Sequence, residues 1–222
     1  MKTHLAVTLL LCVLAAYQAW GQKMEPFIKG GLTIGFFDGT AASDEDMGHT
    51  GFNIGAGFRL PVNRSRTTFL EPAIELITKG NVYDVSKAGG KVSFSLWYIE
   101  AQMDFIYRWK IGKRWSIPFG TGLYGAYGIG SKISATNGIT WFRGIPVGDN
   151  LSMFDGKVGA NHWDAGWRVW TVGMEYGRLL FRWDFEGGFF SQFRNRMPYG
   201  LEEGKKYHGN NWAMSLNLGY CF

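Results

Sequence analysis

Only two cysteines occur among the 222 residues, Cys12 and Cys221, and Cys12 falls in an apolar N-terminal run, so a disulfide-stapled fold is excluded. Six prolines and no Gly-X-Y period exclude a collagen-like rod. Charged residues are scarce at 18%, while 46% are hydrophobic, which excludes a disordered chain. Past Gln22 no stretch approaches the roughly 18 uncharged apolar residues of a membrane-spanning helix. The formal charge is +5, yet no basic run is longer than Lys205-Lys206, so no nucleic-acid partner is expected.

What is abundant is glycine, at 32 residues, and aromatic side chains, at 17%. Both favour strands and turns over helices. Residues 1–21 read as a signal peptide: one early Lys, an apolar run from Leu5 to Ala16, and the small-x-small ending Ala19-Trp20-Gly21. Leu11 before Cys12 does not fit a lipoprotein signal. The mature domain is then 22–222.

That domain carries eight segments with a period of two, the signature of strands with two unlike faces. The last sets Trp212, Met214, Leu216, Leu218, Tyr220 and Phe222 against Asn211, Ala213, Ser215, Asn217, Gly219 and Cys221. Earlier apolar faces hold Ile28, Leu32 and Ile34; Phe52, Ile54 and Phe58; Leu70, Ile74 and Leu76; Trp97, Ile99, Met103 and Trp109; Trp115, Phe119, Leu123 and Tyr127; Trp170, Val172 and Met174; and Phe181, Trp183 and Phe185. The sixth is the least regular, because Arg168 interrupts it. A soluble lipocalin-like barrel would turn these faces inward and a membrane barrel outward. Aromatic residues at both ends of the faces, as at Trp97 and Trp109, favour the membrane. So does the alternation of short turns (61–66, 110–114, 177–179) with long loops (38–50, 81–92, 131–164, 192–210). The expected fold is all-β: an eight-stranded antiparallel transmembrane β-barrel in the outer membrane, with short periplasmic turns and longer extracellular loops.

In that register the lumen receives Lys29, Arg59, Glu71, Glu75, Lys79, Glu100, Asp104, Arg108, Glu175, Arg182, Asp184 and Glu186. A one-residue slip would send the cations to lipid at about 2 to 4 kcal/mol each near the midplane. These residues form either a structural ion-pair network filling a narrow lumen or a proton or solute path; the network is the expected role, because buried charges must be paired.

No catalytic, cofactor or metal site is expected. His49 near Asp44 and Asp46, His162 with Asp164, and His208 are the rim positions where an enzyme of this architecture would carry its chemistry, but a His-carboxylate pair needs a third positioned group, usually a nucleophile or a water site, before it means catalysis. Zinc spacings are absent, and Asp44-Glu45-Asp46 lacks the glycine and distal Glu of a calcium loop. The third long loop, with Trp141, Phe142, Met153 and Phe154, is apolar enough to fold over the barrel mouth or to meet a partner protein. Arg194, Arg196, Lys205 and Lys206 in the fourth could meet lipopolysaccharide phosphates.

The opening Phe27-Ile28-Lys29-Gly30-Gly31-Leu32, the pair Gly55 and Gly57, the stretch Glu75-Leu76-Ile77-Thr78-Lys79-Gly80 and the closing Leu216-Asn217-Leu218-Gly219-Tyr220-Cys221-Phe222 give the mature chain its family likeness. In their order and spacing it resembles the PorT-like outer-membrane β-barrel domain family of Bacteroidota. The resemblance implies the fold and the outer membrane. It also implies that the C-terminal aromatics, Tyr220 and Phe222, are read by the barrel-assembly machinery. It implies little about activity; the expected role is that of a non-enzymatic structural or interaction protein whose extracellular loops engage a partner protein or surface polymer, secretion included, and the alternatives are a rim-active lipid-modifying enzyme or protease and a narrow solute or proton channel.

Overall fold

A computed structural model describes residues 24–38, 46–85, 89–142, 145–147, 152–154, 160–192 and 209–222. The expected leader, Asp44, His208 and the four cations of the fourth loop lie outside these residues. Among the described residues ten strands follow one another: β1 (Glu25–Asp38), β2 (Asp46–Pro61), β3 (Thr68–Val85), β4 (Gly90–Lys110), β5 (Trp115–Ala135), β6 (Trp141–Phe142), β7 (Ile145–Pro146), β8 (Trp163–Tyr176), β9 (Leu179–Ser191) and β10 (Asn210–Cys221). Eight close a ring in the order β1-β10-β9-β8-β5-β4-β3-β2, every pair antiparallel, while β6 and β7 pair only with each other. Closure leaves the eight-stranded ring without an edge of unpaired backbone groups, which is what a strand-built span of lipid requires. The seam pairs Phe27 with Cys221 and Asp38 with Asn210.

All eight alternating segments are barrel strands with the expected parity. Leu218 is 69% exposed and Ile74 65%, while Arg182 and Glu100 are 1% and 0% exposed. The charges are inside and the apolar side chains outside, the inverse of a soluble barrel.

The irregular sixth segment has a mechanical explanation. Asp164, Gly166 and Arg168 follow one frame and Thr171, Gly173 and Glu175 the other, and the register of β8 on β9 shifts between Arg168 and Trp170. Val169 is the extra residue of a β-bulge, which lets both halves point their polar side chains inward. Arg168 therefore belongs to the lumen rather than interrupting a face.

The loop expected at 81–92 is also corrected. β3 runs to Val85 and β4 starts at Gly90, so most of that segment is a continuous hairpin. β4 and β5 have 21 residues each, about twice the 9 to 11 that cross a bilayer. Within β4 the polarity inverts near Trp97. From Trp97 to Trp109 the apolar side chains of alternate residues face out, whereas Val92, Phe94, Leu96 and Tyr98 point in and are at most 1% exposed. The lower stretch obeys the rule for a strand in lipid, and the upper stretch the rule for a strand in water. The barrel thus continues past the membrane, and Trp97 marks the boundary, where the indole is favoured.

Candidate functional site

The interior has three layers. Next to the chain termini, Phe27, Ala73, Leu180 and Cys221 form an apolar seal, with Phe69 and Ile106 also buried. At the far end, Phe37, Ile77, Tyr83, Phe94, Leu96 and Ile133 form a second, larger one. Between them lies the charge network, where eight carboxylates (Glu71, Glu75, Glu100, Asp104, Asp164, Glu175, Asp184, Glu186) meet six cations (Lys29, Arg59, Lys79, Arg108, Arg168, Arg182).

Every lumen charge expected from the sequence reaches a partner. Lys29 lies 2.7 Å from Glu75 and 3.5 Å from Asp184. Arg59 joins Glu71 at 2.8 Å and also bonds Glu175. Lys79 sits 2.7 Å from Glu186 and 2.9 Å from Glu100, its ammonium 4.0 Å from the centre of the Tyr124 ring. Arg108 is the outlying member, half-buried and 3.6 Å from Glu175. Neutral groups fill the gaps: Thr171 and Asn217 donate to Asp184 at 2.7 and 2.9 Å, and Gln102 donates to Glu75 and Glu100 at 2.6 and 2.9 Å. In a low-dielectric interior such satisfaction separates a rigid network from a costly one.

Sequence reasoning set Asp164 at the rim, and it did not place Arg168 in the lumen. Its guanidinium reaches Asp184 at 2.9 Å, Asp104 at 3.1 Å, Glu186 at 3.3 Å and Glu100 at 3.7 Å, more carboxylates than any other lumen cation contacts. Two unbroken frames of polar residues on either side of Val169 were the available signal. Gly122 makes room for this cluster, since a Cβ there would stand 2.1 Å from Asp104 Oδ1.

Of the rim candidates, His162 and Asp164 are the described pair, and they are not brought together. Asp164 points into the lumen, where Asn211 and Tyr124 donate to it at 3.0 and 3.3 Å and Lys79 approaches to 3.7 Å. The His162 ring is instead stacked between Tyr127 and Phe154, with Nδ1 3.0 Å from the Gly128 carbonyl. His49 meets Ser93 at 3.3 Å. Each of the two described histidines thus has a packing or hydrogen-bonding role in the barrel wall.

Described residues of the third connection pack into the mouth. Met153 is completely buried in the upper seal with Val147 and Ala160. Its amide donates to Ser131 Oγ at 2.7 Å, and its carbonyl accepts from the Ala160 amide at 2.9 Å. Phe154 lies edge-on to Tyr98, over Gly128, where a Cβ would come within 2.3 Å of its ring. Trp141 and Phe142 are in the β6–β7 ribbon, pairing with Pro146 and Ile145; their side chains lie outside what is described. Of the two fates open to this loop, Met153 and Phe154 take the inward one.

A closed ring of antiparallel strands with an apolar exterior, aromatic belts and a paired ionic lumen defines an outer-membrane-type β-barrel protein, and the chain is one. No family model and no curated protein matches it. Similar solved structures include Ail, the attachment invasion locus protein of Yersinia pestis (12% identity, 90% of this chain and 100% of that chain, TM-score 0.41). Neisserial surface protein A is similar at 12% identity, over 90% of this chain and 100% of that chain, with a TM-score of 0.45. The N-terminal β-barrel domain of OprF from Pseudomonas aeruginosa matches at 13% identity, over 89% of this chain and 97% of that chain, with a TM-score of 0.38.

Proposed function

We propose that this barrel is a non-enzymatic interaction protein whose third extracellular connection presents the β6–β7 ribbon to a partner protein or a surface polymer. The observation that carries the reading is the division of labour within that connection. Met153 and Phe154 are locked into the mouth, while β6 and β7 pair with each other and not with the barrel sheet. An anchored loop with a separately paired ribbon holds a recognition element on a rigid support, which lowers the ordering cost of binding. Lipopolysaccharide around the barrel and the assembly machinery acting on Tyr220 and Phe222 are further partners of this reading, and membership of the PorT-like family with a secretion-related role belongs to it as well.

The test replaces Trp141 and Phe142 by Ser and compares the proteins cross-linked on intact cells. Loss of a cross-linked species, with the barrel still heat-modifiable on a gel, supports the reading. An unchanged cross-link pattern overturns it. The channel reading is disfavoured by the two apolar seals that bracket the ionic layer.

A further inference from the structure

The chain's excess positive charge has a visible location at the end that carries the termini. The turn at 62–67 holds Arg64 and Arg66, the turn at 111–114 holds Lys113 and Arg114 with Lys110 just before it, and the turn at 177–178 holds Arg178. None of these turns contains an acidic residue. Among the described side chains at this rim the carboxylate is Glu25, which is ion-paired to Arg66. Arg64, Lys110, Lys113, Arg114 and Arg178 are exposed.

Two features show what kind of anion fits. Each turn sets an exposed apolar residue beside its cations: Val62 at 55% exposure, Ile111 at 60% and Leu179 at 58%. A rim meant for a soluble acidic partner gains nothing from these, whereas side chains at a bilayer surface bury them among acyl chains. The cations are also held at the depth of the lower aromatic belt. Arg114 donates to the Tyr176 hydroxyl at 3.4 Å, and Tyr176 packs on Trp115; Arg178 donates to the Tyr220 hydroxyl at 3.3 Å, and Tyr220 packs on Phe222. Belt tyrosines sit at headgroup level, so the guanidiniums beside them meet phosphates.

We propose that this basic, apolar-studded rim is a binding surface for the phosphate headgroups of anionic phospholipids in the periplasmic leaflet. The proposal goes beyond the partner reading of the opposite end and rests on the membrane-barrel architecture alone. An anionic collar would fix the vertical position of the barrel and cancel the mutual repulsion of the turn cations.

The test uses the full mature protein in nanodiscs of phosphatidylethanolamine with a minor fraction of phosphatidylglycerol, and counts the lipids retained on release by native mass spectrometry. Wild type should retain phosphatidylglycerol about tenfold above its bulk share, and the preference should fall steeply between about 50 and about 500 mM salt. Changing Arg64, Lys113, Arg114 and Arg178 together to Gln should bring retention to parity while the heat-modifiable band persists. Absence of a preference in wild type, a preference insensitive to salt, or one that survives in the folded variant overturns the proposal. Complete displacement by inorganic phosphate also does, because it would mean that the rim reads phosphate alone. So would salt-sensitive capture of an acidic periplasmic protein with no lipid preference.

Discussion

Arg182 holds both oxygens of Glu71, at 2.6 and 2.9 Å, across 111 residues of sequence. β9 and β3 are four strands apart in a ring of eight, so this bidentate pair spans the lumen and ties opposite walls together.

Removing either partner alone leaves a buried charge unpaired, at a cost of about 3 to 5 kcal/mol, whereas removing both with shape-matched neutral residues costs far less. Urea unfolding in detergent of Glu71→Gln, Arg182→Met and the double variant should therefore show strong positive coupling. Additive losses would mean that the pair is not the unit the geometry indicates.

Arg168→Met should destabilise more than Arg108→Met, since Arg168 faces four carboxylates and Arg108 reaches Glu175 at 3.6 Å from a half-buried position. Comparing unfolding midpoints at equal slope checks the order, and equal midpoints would deny Arg168 its place as hub.

Deleting Val169 removes the bulge and forces one half of β8 out of frame. Either Asp164 and Arg168 or Thr171 and Glu175 would then face lipid, with charged groups costing up to about 2 to 4 kcal/mol each. The expected result is loss of the heat-modifiable species, while Val169→Ala, which keeps the bulge, folds normally.

Gly128→Val should eject Phe154 from its seat and free the third connection without opening the barrel, at a cost of about 1 to 3 kcal/mol. Limited proteolysis would find new cleavage between residues 136 and 162, and the double variant with Phe154→Ala should recover part of the lost stability. Unchanged protease resistance would mean that Met153 alone anchors the loop.

How much of this was legible without coordinates depended on which solvent a strand meets. Between the aromatic belts one rule holds, apolar out and charged in, so Lys29, Arg59, Glu100 and Asp184 could be placed from parity alone. Above Trp97 the rule reverses. The alternation of Val92, Phe94 and Leu96 with Ser93 and Ser95 then reads, to an eye set for lipid, as the end of a strand, and Asn81 to Val92 looks like a loop. Arg168 was obscured for a different reason: a single inserted residue flips the frame, and Val169 does not distinguish itself in sequence from its neighbours. The mouth-closing role of Met153 depends on its burial in a cluster that includes Tyr98 of β4 and Ile133 of β5, distant in sequence, which no local pattern encodes.

Cys221, the free cysteine among the described residues, lies at the seam where the first strand meets the last, opposite Phe27 and in one buried cluster with Leu180. At 7% exposure, the Cys221 sulfur is reached by a thiol reagent in the periplasm chiefly when that closure parts. The rate of its alkylation is a clock for how often the finished ring breathes open, kept by the protein without any engineered label.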